Sequence, residues 1–483
     1  MHEKEYDMAL ASFTRAENLI PPFLGKIFFL QDHMRIHTQK GMAFHDQGLA
    51  LWKEKGISTN VSALYKKAGI SFTKAAKIDP GDYITTYWLA KTQNALESIT
   101  GYLKPHDPNP YNAQPLYEKA IALRPSGIEV HYAYIRYLYN KGEKKRIPEL
   151  VQYMTQIYPQ SYFHLKKEPF FNDYLIANME TGLLSALDQD ITPISAFQAL
   201  SDIQVAKKNY HKAITYYSKS LEVKPFTNTS GNYLNMGQLY LKSQLPEKTE
   251  KTTIWFTKAL KKADNFDATL EKIFNIYTRA KALDEFIRFS IHIEENLAHP
   301  PVLDISIAEA WIKMGNPQLA RARLLKLNAK KPNAHAHYLL ATIAERENDW
   351  DQMETSIQRA TLLDQNNYTY YNLLTKALIN QQKYTHAEET ATKAITLAPK
   401  NNPWVFNSRA VIRWRLKKYS PAASDWEKAF TIKPDQSDFP YRIALAMEQE
   451  GNFKKAQTFA VKALTLAPDN KKYKTLETRL KTH

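Results

Sequence analysis

In the last third of this 483-residue chain, one short pattern runs three times into a proline, at a nearly fixed interval. Ala387, Ala391 and Ala394 precede Pro399; Ala422, Trp426 and Ala429 precede Pro434; Ala456, Ala460 and Ala463 precede Pro468. The prolines lie 35 and 34 residues apart. A step of four residues and then three follows one face of an α-helix, and the proline cannot continue that helix. A unit this short cannot bury its own apolar stripe, so copies of it must stack.

The same frame recurs upstream. Ala9, Phe13, Ala16 and Pro21 fit it, as do Ala68, Phe72, Ala75 and Pro80. Ala113, Tyr117, Ala120 and Pro125 follow, then Ala213, Tyr217, Ser220 and Pro225, then Ala320, Leu324, Leu327 and Pro332. Each of these helices needs a partner before it. Candidates are Leu89-Ala90; Tyr233, Met236, Gly237 and Tyr240; Ile307-Ala308 with Trp311; and Phe406 with Arg409-Ala410. The small-large-small triplet has a packing reason: small residues let two helices approach closely, and the large one fills the space against a neighbour.

The pattern resembles the tetratricopeptide repeat family, whose unit is a helix A, a turn and a helix B. The resemblance implies an all-α fold, a right-handed superhelical solenoid of about twelve helix-turn-helix repeats with a concave groove lined by A helices. Proline intervals of 34, 66 and 107 residues from Pro125 through Pro159 and Pro225 to Pro332 match about one, two and three units. Degenerate units are therefore expected in the gaps, where 170–188 and 267–298 are apolar at helical spacing. Pro21 to Pro80 spans 59 residues, which a longer helix near 24–54 would bridge.

The expected organisation is a partial first repeat at 1–22, consisting of helix B only, then an N-terminal array at 23–160. Degenerate repeats follow at 161–300, a regular array at 301–471, and a capping helix at 472–483 with Tyr473, Leu476 and Leu480 turned inward. Counting back, Tyr6 takes the aromatic position before helix B, so Met1 falls mid-unit and the natural sequence is expected to continue upstream. A weaker resemblance points the same way. Asn109-Pro110-Tyr111-Asn112, the Pro115 to Pro125 run, His131-Tyr132-Ala133-Tyr134 and the stretch from Tyr158 to Phe170 look like repeats that follow bacterial O-antigen ligase or polymerase membrane domains. That resemblance would make the chain the soluble arm of a membrane-bound glycan-assembly protein, on the periplasmic side of the inner membrane.

Composition narrows the chemistry. The absence of cysteine excludes disulfides, thiolate metal sites and cysteine nucleophiles. The first residues carry acid and lack an apolar core, so no signal peptide is read and the chain as written is expected in the cytoplasm. Its most apolar early run, Phe28-Phe29-Leu30, is far too short for the roughly 20 residues that span a bilayer. Membrane association is expected only through a missing upstream segment. Lys and Arg exceed Asp and Glu by 16, but as scattered pairs such as Lys166-Lys167, Lys261-Lys262, Lys417-Lys418 and Lys454-Lys455, which suits a solvated surface. Nucleic acid is not an expected partner, and the aromatic residues fall mostly at packing positions.

No phosphate-binding glycine loop or nucleophile elbow occurs, and no acid pair stands out; no catalytic residue, cofactor or metal site is expected. His33 and His37 stand one helical turn apart, with His45 and Asp46 beyond, but without the remaining ligands of a zinc site. His335 and His337 fall on different helix faces. The expected partner is a protein or peptide in the groove. Asn372 and Lys376, Asn407 with Trp414, and Arg442 occupy comparable places on three successive A helices. There, Asn can bond a peptide backbone and Lys or Arg can meet an anion. Arg409 sits at a position that is often basic in the family and is read as structural.

Overall fold

The computed structural model describes residues 2–19, 30–297 and 300–481. Pro21 and the first residues of the helix expected near 24–54 lie outside the described residues, as do Phe28, Phe29 and the last two residues of the tail. The described residues form α-helices joined by turns and short 3-10 segments, with no strand among them. None of these helices is long and apolar enough to cross a membrane.

The chain divides into two compact units, residues 1–228 with 243–245, and residues 229–242 with 246–483. The first unit contains α1 (His2–Leu19), α2 (Leu30–Lys55), α3 (Thr59–Ile78), α4 (Tyr83–Leu103), α5 (Gln114–Leu123) and α6 (Ile128–Lys141). It continues with α7 (Ile147–Ile157), α8 (Ser161–Leu165), α9 (Asp173–Asp188), α10 (Pro193–Ala206) and α11 (Tyr210–Val223). The second unit begins with α12 (Ser230–Lys242), α13 (Lys248–Lys261), α14 (Phe266–Arg279), α15 (Leu283–Asn296), α16 (Pro301–Lys313), α17 (Pro317–Lys330) and α18 (Ala334–Glu347). Then come α19 (Trp350–Leu363), α20 (Tyr368–Asn380), α21 (Tyr384–Leu397), α22 (Pro403–Arg415), α23 (Tyr419–Ile432), α24 (Asp438–Gln449), α25 (Phe453–Leu466) and α26 (Lys471–Leu480).

Local chemistry sets the helix ends. Asp82 caps α4 by accepting from Thr85 N–H at 2.6 Å, and Asn333, Asp349 and Asn452 cap α18, α19 and α25 in the same way. Several A-to-B turns close on one residue in the left-handed region. Gly142, Gly315 and Gly451 do so without penalty, whereas Lys208, Lys281, Asn348, Gln382 and Lys417 do so with a side chain.

The triplets pack as their residue types require. Ala68, Phe72 and Ala75 are fully buried, as are Ala113, Tyr117 and Ala120, and Trp426 lies buried between Ala422 and Ala429. Where the triplet fades, aromatic rings take over: Phe256, Tyr277, Phe286 and Phe289 form one ring cluster in the second unit. Glycine permits the closest approaches. A Cβ on Gly237 would lie 2.4 Å from the Phe256 ring. In α26, Tyr473, Leu476 and Leu480 are buried.

Candidate functional site

In the second unit, the residues expected to bind are held by ordinary partners of different kinds. Asn372 Oδ1 accepts from Ser408 Oγ at 3.4 Å, and Lys376 forms an ion pair with Glu345. The Asn407 carbonyl accepts from Trp426 Nε1 at 3.0 Å, which fixes the indole. Arg442 donates to Asp438 at 2.5 Å, and its guanidinium carbon lies 5.9 Å from the Trp426 ring centroid. Trp414 packs on Tyr419 and Trp426, with centroids 5.0 and 6.2 Å away. Of the five, Trp414 and Arg442 line one cavity of about 280 Å³, with Trp426, Tyr441 and Asp438; Asn372, Lys376 and Asn407 do not line it. Arg409 is committed to Asp425 through two hydrogen bonds.

The histidine pair of α2 has a packing environment. The His33 and His37 rings lie 6.1 Å apart, and His37 Nε2 is 4.0 Å from Glu17. No cluster of three or more metal-ligating side chains occurs among the described residues. His335 bonds Glu309 at 3.0 Å, while His337 is buried.

A larger cleft, of about 780 Å³, opens in the first unit. Its walls come mainly from α2, α4 and α6, with further lining residues from α7 and α8. Helix α4 supplies Tyr87, Lys91 and Asn94, and α6 supplies Tyr132, Arg136 and Asn140. In both helices the tyrosine and the base are four residues apart, so they share one face. Trp52, Tyr65 and Tyr117 make up much of the aromatic lining.

The electrostatics of this cleft are specific. Lys91 Nζ sits 3.9 Å from the Trp88 centroid and 5.6 Å from that of Tyr87. Burial pulls the Lys91 ammonium below the usual lysine range, although Asp46 opposes the shift. Arg136 lies 3.6 Å from Glu168, which also accepts from the Tyr132 hydroxyl. Burial, with that bond adding to it, pushes the Tyr132 phenol up to about 12. Asn94 reaches the Tyr117 hydroxyl at 3.4 Å. His45 lies edge-on to Tyr65 and Trp88, both centroids 5.0 Å away, and burial lowers its pKa. Ser161 Oγ, a buried polar atom of the lining, has no hydrogen-bond partner among the described residues, and His45 Nδ1 has only the Asp46 carboxylate, 3.5 Å away.

The tetratricopeptide repeat profile matches residues 194–227, 368–401 and 441–470, one segment in the first unit and two in the second. The chain carries tetratricopeptide repeats. Similar solved structures include YrrB, described as a TPR protein with an unusual peptide-binding site. It is 17% identical, covers 40% of this chain and 97% of its own, and has a TM-score of 0.36. The Cut9-Hcn1 hetero-tetramer structure of the APC/C covers 92% of this chain and 96% of its own at 13% identity, with a TM-score of 0.36. Pseudomonas aeruginosa pilF covers 38% and 83% at 22% identity, with a TM-score of 0.33. No curated protein matches the sequence.

Tetratricopeptide repeats are in general interaction scaffolds, and the cleft of the first unit lies where its A helices α2, α4 and α6 come together. It can supply amide donors and acceptors, a cation in a partly apolar setting, and aromatic faces. Sequence reasoning missed it. The signal that could have found it is the paired Tyr-x-x-x-base on α4 and α6.

Proposed function

We propose that this chain is a non-catalytic tetratricopeptide-repeat scaffold that mediates protein–protein interactions by seating a partner's peptide segment in its concave groove. The observation that supports this reading is the 780 Å³ cleft of the first unit, walled by successive A helices with aromatic, amide and basic side chains. Its size is in the range of sites that bury a small ligand or a few residues of a peptide. The small cavity at Trp414 and Arg442 is a second seat, sized for one side chain of a partner.

Affinity capture from native extract, read by mass spectrometry, tests the reading. The wild-type chain retains a defined set of proteins, and the Tyr132→Ala, Asn140→Ala double variant loses it. An Asn407→Ala, Arg442→Ala variant reports on the second seat. A partner set unchanged in both variants would count against binding through the groove.

A further inference from the structure

The last two helices of the second unit carry a charge pattern that no packing role demands. Helices α25 and α26 pack on each other through Ala456, Ala460, Leu476 and Leu480, and residues 467–470 turn the chain between them. From 453 to 481 this hairpin holds eight lysines and arginines against two acids, Asp469 and Glu477, and so supplies six of the chain's net charge of +16. Glu477 is taken up by Lys481, and the neighbouring Glu448 and Glu427 by Arg479 and Lys455. Lys462, Lys471, Lys472 and Lys474, around the turn, are all exposed, and no carboxylate of the described residues pairs with them. Asp469 is the one exposed acid between 461 and 475.

We propose that this end of the second unit docks on a membrane of anionic phospholipids, with the four lysines against the headgroups and Val461 and Leu466 at the acyl boundary. It stands apart from the groove reading, because α25 and α26 line neither the cleft of the first unit nor the cavity at Trp414.

Three observations support it. The first is where the charge sits. Lys471, Lys472 and Lys474 open α26, at the positive end of the helix dipole, where acids stabilise and bases oppose folding. Helices α14, α15, α19 and α24 carry acids in their first turns, as this rule prefers. An anionic surface turns the same arrangement into an attraction. The second is its sign. The end of a repeat array needs a polar outer face, and mixed charges meet that need; a face of one sign does not follow from capping. The third is the aliphatic residues. Val461 is 46% exposed and Leu466 41%, beside Lys462 and the turn. Aliphatic side chains gain from leaving water at a lipid interface and gain nothing from a phosphodiester backbone. The aromatic faces on which nucleobases stack are not offered here, because Tyr473 is turned inward. Together these set a lipid surface above a nucleic acid.

Co-sedimentation of the full chain with vesicles tests this. One set is phosphatidylcholine alone; the other contains roughly 30% phosphatidylserine as the anionic lipid. The chain should pellet with the anionic vesicles and not with the neutral ones, and raising the salt from about 0.1 M to about 1 M should release it as the screening length shrinks. Lys471→Gln, Lys472→Gln and Lys474→Gln together should weaken binding about a hundred-fold, at about five-fold per lysine. Their replacement by glutamate should abolish binding while the thermal midpoint stays level or rises, since acids suit a first turn. That midpoint separates lost docking from lost folding. Leu466→Ser should weaken vesicle binding several-fold with the lysines intact. Equal pelleting with both vesicle types, or unchanged binding by the triple glutamine variant or by Leu466→Ser, would overturn the proposal. So would a labelled oligothymidylate that binds more tightly than the anionic vesicles with the same dependence on the three lysines.

Discussion

Arg409 grips Asp425 with both arms of its guanidinium, Nε to Oδ2 at 2.8 Å and Nη2 to Oδ1 at 2.7 Å. The Asp425 side chain is 1% exposed and that of Arg409 11%, so the pair joins α22 to α23 out of water. Arg413 adds a third bond to the same carboxylate at 2.8 Å. Removing Arg409 leaves the buried Asp425 carboxylate with Arg413 as its remaining cationic partner. Arg409→Ala should therefore destabilise the second unit by about 1–3 kcal/mol, and Arg409→Met with Asp425→Leu should cost less than the single change. Chemical denaturation decides between these. A single variant as stable as the wild type would contradict the structural role given to Arg409.

Gly182 on α9 faces the backbone of α7. A Cβ there would lie 2.2 Å from the Gln152 carbonyl oxygen and 2.3 Å from Thr155 Oγ1. The carbonyl cannot rotate away as a side-chain tip could, so Gly182→Ala should force the helices apart at a cost of about 1–3 kcal/mol. A lower thermal midpoint checks it; an unchanged one would put the α7–α9 packing in doubt.

Lys417 closes the α22–α23 turn at φ +59°, in the region where Gly451 sits one repeat later at +76°. A Cβ in this region is costly, and glycine's extra freedom in the unfolded chain offsets part of the gain. Lys417→Gly should stabilise the second unit by about 0.5–1 kcal/mol, measured by urea denaturation. Destabilisation would mean that the lysine side chain carries an interaction that outweighs the backbone gain.

The buried histidines of the first unit set an acid limit. Burial lowers the pKa of His37, His45 and His131, while Glu17, Asp46 and the Gly127 carbonyl respectively oppose the shift. The folded state then holds fewer protons than the unfolded chain below the ordinary histidine value of about 6.5. Stability is fully present above that value and falls as pH drops through it toward the depressed folded values, by up to about 1.4 kcal/mol per pH unit for each group. Urea midpoints for the first unit should be lower at pH 5.5 than at 7.5, and His131→Asn should flatten the slope. Equal midpoints at both pH values would contradict it.

The parts of the fold that were legible in the sequence are those where packing dictates residue type at a fixed interval. Ala422, Trp426 and Ala429 announce a helix crossing because only small-large-small fills it, and all three are buried. The cleft was hidden for two reasons. Its residues are polar A-helix positions that no packing rule demands. Moreover, α4 and α5 are separated by residues 104–113, which places Lys91 and Arg136 45 residues apart instead of one repeat length. A comparison at the regular period therefore passes over them. In the second unit, equal spacing made Asn372, Asn407 and Arg442 look equivalent, yet their partners differ: a serine hydroxyl, an indole and an aspartate. Spacing predicts a shared face; it does not predict which side chains on that face are already engaged.

Site-specific photo-crosslinking tests the central claim most directly. A photoreactive amino acid is placed at Asn140 in the cleft or at Lys119, an exposed position on the B helix α5. Irradiation in native cells is followed by mass spectrometry of the adducts. Binding through the cleft predicts a discrete protein adduct from position 140 and none of the same mass from position 119. Adducts from position 119 alone, or no protein adduct from position 140, would contradict it.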